Sequence, residues 1–265
     1  MNDKTILSDK VKINYRDTGK GDTTLVFVHG SYIDQSYWDQ QMDFFKSTYR
    51  VISFDLPGHG KSERNREQWS IEGFGEDVIN VIKELKLKKV ILIGHSIGGD
   101  INLVAAVKEP APIIGFIGVD NFKTAATPLP EEYQQQVESI KEKLKTDFEN
   151  TNEQYAKMVL LTAQTPSAIV NRVVKDYREA YKPMGVPTTT QVFEFYKNEQ
   201  ELLPRLNFKL ILINVDYMPT NEEPLKKYPG KGYKLFHIPG TCHYPMLENP
   251  DQLNQVLEQA IHEVS

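Results

Sequence analysis

The sequence predicts an α/β fold, a mostly parallel, doubly wound sheet with an inserted helical segment, and three observations lead there. Short continuous apolar runs recur along the chain, segments of helical period separate them, and one long stretch holds helices but no strand-like run. Continuous apolarity, unlike alternation, marks strands buried on both faces, and parallel strands need a crossover between them, usually a helix.

The first run is Leu25 to Val28, followed by a helix-like segment that starts near Ser36. Val51 to Phe54 is the second. Val78, Val81, Ile82 and Leu85 then lie at helical spacing, which gives the crossover to the third run, Val90 to Ile93. Ile113 to Val119 is the fourth. The rhythm resumes with Leu210 to Ile213 and Tyr233 to Phe236, and a final helix carries Leu253, Val256, Leu257, Ala260, Ile261 and Val264 on one face. Asn249 as N-cap and Pro250 as first helical residue mark its start.

Residues 122–206 break the rhythm: they read as several helices punctuated by prolines, among them Pro128, Pro166, Pro187 and Pro204. The expected division is therefore a core of residues 1–121 and 207–265 with a helical cap inserted over 122–206. Val170, Val173, Val174, Tyr177 and Tyr181 give one cap helix an apolar face. Tyr133, Phe148, Tyr155, Phe193, Phe195 and Tyr196 are candidates for a pocket roof or for the packing of the cap itself.

A chain of 265 residues is long enough for one sizeable core plus an insertion. Its net charge of -5 gives no electrostatic footprint for nucleic acid. The N-terminal residues lack the basic and apolar regions of a signal peptide, and no apolar run approaches the roughly 20 residues of a membrane helix. A cytoplasmic protein with a small-molecule substrate, and with neither nucleic acid nor membrane as partner, is the expectation; oligomeric state is not legible. Cys242 is the only cysteine, so an intramolecular disulfide is impossible.

The chemistry concentrates after the strand-like runs. Gly94-His95-Ser96-Ile97-Gly98, followed by Gly99, sits where a buried strand turns into a helix and reads as a nucleophile elbow, with small residues flanking a strained Ser96. His29-Gly30-Ser31 follows the first strand, where a glycine lets the backbone aim an N–H inward. The N–H groups of Ser31 and Ile97 are the candidate oxyanion hole.

Asp55-Leu56-Pro57-Gly58-His59-Gly60-Lys61-Ser62 is dense in turn residues. Its end resembles a phosphate-binding loop, but that motif requires a glycine where Asp55 stands. His59 is a lesser candidate base. The favoured base is His243, in the loop between the last strand and the terminal helix. Cys242 and His237 nearby lack the spacing of a zinc site, and no metal or cofactor is expected. Two aspartates follow strands at suitable places for the acid: Asp216, preferred because its strand precedes the one leading to His243, and Asp120, which has the alternative role of shaping the cap entrance.

In order and spacing, His29-Gly30, the Asp55 to Ser62 loop, the Ser96 elbow, Asp216 and the segment around His243 resemble the α/β-hydrolase family, in its serine esterase, perhydrolase and carbon–carbon hydrolase branch. The likeness spans the chain outside the cap. Asp216 is followed by Pro219 three residues on, a shorter spacing than the family's common form. The resemblance implies a cofactor-independent serine hydrolase of small esters or related acyl compounds. Ser96 is then the nucleophile, His243 the base and Asp216 its orienting acid. Perhydrolysis or carbon–carbon cleavage on the same residues, and a non-catalytic ligand-binding or signalling module, are the alternatives.

Overall fold

The computed structural model describes residues 3–264. Eight strands form one sheet: β1 (Lys4–Ser8), β2 (Val11–Asp17), β3 (Thr24–Val28), β4 (Arg50–Phe54), β5 (Val90–His95), β6 (Ile113–Val119), β7 (Leu210–Val215) and β8 (Tyr233–Ile238). Their order is β1-β2-β4-β3-β5-β6-β7-β8, parallel from β4 through β8 and antiparallel at the β1 and β2 edge. All six apolar runs are strands. The hairpin of β1 and β2 adds a pair that the runs do not announce, because β1 is largely exposed and lacks a continuous apolar signature.

The crossovers run through α1 (Asp39–Phe45), α2 (Ile71–Glu84) and α3 (Ile97–Lys108). A Cβ on Gly75 of α2 would meet Val104 Cγ1 of α3 at 2.5 Å, so these two helices pack backbone against side chain. The terminal helix, α11 (Pro250–Val264), joins α1 through Gln41 Nε2, which donates to Asn254 Oδ1 at 3.0 Å. It begins at Pro250, and the Asn249 side chain accepts from Gln252 N, as a cap should.

Between β6 and β7 the chain runs through α4 (Glu131–Thr146), α5 (Phe148–Tyr155), a π-helical turn over Ala156–Leu160, α6 (Ser167–Arg178), α7 (Lys182–Val192) and α8 (Tyr196–Leu202). The remaining helices are α9 (Glu222–Lys227), after β7, and α10 (Pro245–Glu248), after β8. In α6 the stripe faces inward through Val173 and Tyr177, which are buried, while Val170 and Val174 are half-buried. Tyr32, from the loop after β3, anchors this excursion: its hydroxyl donates to Gly185 O at 3.1 Å, and its ring meets those of Phe148 and Tyr177 edge-on.

The turn-rich loop after β4 owes its composition to a buried carboxylate. Asp55 accepts from Gln35 N, Asn14 Nδ2 and Lys61 N, each at 2.9 Å, and from Gln35 Nε2 at 3.2 Å. Gly60, at φ +46°, passes so close that a Cβ would lie 2.4 Å from Asp55 Cγ. Lys61 and Ser62 thus wrap a structural hub, and Ser62 Oγ completes it by donating to Asp55 O at 2.6 Å. His59 is buried against His29 and Phe74, outside the cavity above Ser96, and burial pushes its ring well below the ordinary histidine value.

Asp55→Ala leaves several buried donors without an acceptor, each costing about 1–3 kcal/mol. The expected loss is at least ~3 kcal/mol, read as a lower urea midpoint at unchanged slope.

Candidate active site

Ser96 stands between the end of β5 and the start of α3, with φ 52° and ψ -130°. This is a left-handed, strained conformation for a residue with a side chain, held because the surroundings leave no other path. A Cβ on Gly94 would lie 2.3 Å from Gly98 O, and one on Gly98 would lie 2.6 Å from Val28 O. Substituting either glycine would push backbone against backbone. The Ser96 carbonyl is fixed by Gly99 N at 2.8 Å and by the Asn121 side-chain amide.

The same crowding brings the end of β3 to the serine. A Cβ on Gly30 would meet Ser96 Cβ at 3.2 Å. His29 locks this corner in one tautomer, with Nε2 accepting from Leu56 N at 2.9 Å and Nδ1 donating to Gly30 O at 2.8 Å. Ser31 and Ile97 both line the cavity above Ser96.

His243 reaches that cavity from the loop between β8 and α10, as the sequence predicts, and two backbone contacts set it there. His95 Nε2 donates to His243 O at 2.8 Å, and His243 N donates to Leu160 O at 3.0 Å. Burial pushes His95 well below the ordinary histidine value, so it serves as a neutral donor. The His95 and His243 rings lie with centroids 4.5 Å apart.

The carboxylate on His243 belongs to Asp120 and not to the preferred Asp216. His243 Nδ1 donates to Asp120 Oδ2 at 2.5 Å, and the aspartate side chain is fully buried. Asp216 lies in the loop after β7, but it is exposed and its Oδ1 accepts from Gly240 N at 3.0 Å. Two features account for the exchange. Asp120, at φ 47°, turns sharply inward straight off β6, whereas Val215 to Met218 curl around the ammonium of Lys123 and leave Asp216 facing outward.

Asp120 Oδ1 is fully engaged, pairing with Lys123 Nζ at 2.8 Å and accepting from Val215 N at 3.1 Å. Burial works against its charge, but the hydrogen bond from His243 and the Lys123 ammonium outweigh it and hold the carboxyl below its usual range. Burial also draws the Lys123 ammonium below its ordinary value, against the opposing pull of Asp120. Lys123 and Asn121 were not singled out by sequence reasoning; a lysine three residues after a strand-end aspartate is the one available signal.

The cavity holds about 230 Å³. Ser96, Asp120 and His243 lie on its sheet side, and Leu144, Tyr155, Leu160, Tyr177 and Phe193 come from the helical excursion. Tyr155 and Phe193 are thus wall residues. Phe148 and Phe195 are buried packing, Tyr133 is exposed, and Tyr196 borders a neighbouring cavity. Such a mainly apolar, aromatic-rimmed space with a few convergent polar groups suits a small organic molecule.

Cys242, beside His243, is fully buried, and burial followed by the Glu248 carboxylate pushes its thiol up to about 12. Among the described residues no group of three histidine, cysteine or carboxylate side chains is placed to hold a metal, and no helix is long and apolar enough to cross a membrane.

The family model for the alpha/beta hydrolase fold matches residues 23–250. Among curated proteins, the chain is 31% identical over 101 residues to a strigolactone esterase of Pisum sativum, covering 37% of this chain and 38% of that one. It is 39% identical over 93 residues to a non-heme chloroperoxidase of Burkholderia pyrrocinia, covering 34% of each. A bifunctional esterase/perhydrolase of Acinetobacter calcoaceticus is 34% identical over 93 residues, again 34% of each. The matched segments thus span little more than a third of these relatives. Among solved structures, a thermophilic esterase from Thermogutta terrifontis superposes with a TM-score of 0.83 at 20% identity, over 100% of this chain and 99% of that one.

A buried thiol held in its protonated form is a poor nucleophile. Native protein at pH 8 is expected to resist iodoacetamide at Cys242, with stoichiometric labelling after denaturation, both read by intact mass.

Proposed function

Because this chain belongs to the alpha/beta hydrolase family, we propose that it is a serine hydrolase cleaving small esters or related acyl compounds through an acyl-enzyme on Ser96. One observation carries this reading: the buried Asp120 carboxylate bonded to His243 Nδ1 in the cavity that Ser96 enters from its strained turn. That bond selects the tautomer with Nδ1 protonated, so Nε2 is the ring nitrogen left to act as base.

In this mechanism His243 takes the proton of Ser96 as its oxygen attacks the substrate carbonyl. Asp120 orients the ring and stabilises the imidazolium that forms. The N–H groups of Ser31 and Ile97 receive the developing oxyanion, a role in which one donor contributes roughly 3 kcal/mol to the transition state. His243 then returns the proton to the leaving alcohol, and water cleaves the acyl-enzyme by the same exchange in reverse. The helical excursion acts as a cap: it supplies the apolar wall that receives the substrate and excludes water.

The mechanism ranks the two aspartates. Ser96→Ala abolishes turnover of p-nitrophenyl butyrate, and Asp120→Asn lowers kcat by about 10³- to 10⁴-fold by removing the acceptor that fixes the tautomer. Asp216→Asn changes kcat less than about threefold, since its carboxylate is exposed and accepts from the Gly240 N–H. Equal losses in the two asparagine variants would remove Asp120 from its role. Full activity of Ser96→Ala, or absence of a Ser96 acyl adduct by mass on rapid quenching, would overturn the mechanism as a whole.

A further inference from the structure

Lys123 is buried, and each of its three ammonium protons has an acceptor: Asp120 Oδ1 at 2.8 Å, Val215 O at 2.8 Å and Met218 O at 3.0 Å. The charge also lies over the Tyr217 ring, 4.2 Å from its centroid. A lysine so completely bonded has no donor left for a substrate, although it borders the cavity. Its contacts go instead to the carboxylate that orients His243 and to the loop that follows the neighbouring strand.

We infer that Lys123 is a positioning residue that clamps Asp120 in one orientation and offsets its charge, so that His243 remains an unprotonated base to lower pH than Asp120 alone would allow. This rests on the mechanism with Asp120 as acid. With Oδ1 held by Lys123 and Val215 N, the carboxylate cannot rotate about its last bond, and Oδ2 alone meets the imidazole. An isolated buried carboxylate beside a histidine favours the imidazolium strongly; one already paired with an ammonium favours it less. The other titratable groups around the pair do not supply this offset. His95 and Tyr244 pack on the histidine ring as neutral groups, Tyr217 is neutral with its hydroxyl 3.4 Å from His243 Nδ1, and Asp216 carries a negative charge. Lys123 is the one cation in contact with Asp120 among the described residues.

The test is the pH profile of kcat/KM for p-nitrophenyl butyrate in wild type, Lys123→Met, Lys123→Gln and Lys123→Arg. Loss of the positive charge strengthens the hold of Asp120 on the imidazolium, and the base works only when unprotonated. The acid limb is therefore expected to move to higher pH, by about 0.5–1 unit, in the methionine and glutamine variants, and to stay in place in the arginine variant. Loss of the clamp is expected to lower kcat about ten- to a hundredfold in Lys123→Met. Lys123→Gln keeps an amide donor toward Asp120 while dropping the charge, so it reports on the charge if the methionine variant does not fold. Lower activity with an unmoved acid limb in the neutral variants overturns the inference and reduces Lys123 to loop support, as does an equal shift in Lys123→Arg. Either result leaves the Ser96 and Asp120 mechanism standing if Ser96→Ala and Asp120→Asn are inactive; activity in Ser96→Ala removes that mechanism first.

Discussion

The first turn of α3 is pressed onto the end of β3, and this contact governs the mouth of the sheet. Gly98 lies against the carbonyls of Val28 and His29, and Gly94 lies against Gly98. No side chain fits between them, so the chain passes from strand to helix through Ser96 in a conformation that a relaxed loop would not choose. From that one close approach follow the projection of Ser96, the nearness of Gly30 and Ser31, and the placing of the Ile97 amide. His95, immediately before the turn, extends the same rigidity across the sheet to the carbonyl of His243.

The parallel strands were legible because burial on both faces leaves an uninterrupted apolar record, as Ile91 to Ile93 and Leu210 to Ile213 display. The β1 and β2 hairpin was not, since an edge strand with exposed Lys4, Thr5 and Leu7 writes no such record. The elbow, His243 and the Ser31 corner were legible for a different reason: each needs particular residue types at a strand end. The carboxylate that meets His243 is Asp120 and not the expected Asp216, because two aspartates stand at neighbouring strand ends and chain order alone does not tell which carboxylate turns inward. What decides it is the positive φ of Asp120 and the ammonium three residues on, a long-range arrangement in which Lys123 collects carbonyls from a loop more than ninety residues away in sequence.

The Asp55 loop shows the converse. Its glycines, histidine and lysine have the look of a ligand-binding motif, yet Gly60 and Lys61 wrap a single internal carboxylate with four donors around it, and His59 is buried packing. Buried charge of this kind is tolerated where every lone pair is occupied, and it fixes one geometry for the segments it joins. Here those segments are β2, the turn before α1 and the loop after β4, which together hold the Leu56 amide on His29 and so brace the Ser31 corner from behind.

The bond from His243 N to Leu160 O ties the His243 loop to the backbone of the very segment that roofs the cavity. The bond uses a carbonyl and so fixes the backbone register at residue 160, while the Leu160 side chain is buried and lines the cavity. Diversification of such a scaffold is thereby channelled into substitutions on the roof: lengthening or shortening the π-helical turn would displace the His243 loop along with the wall.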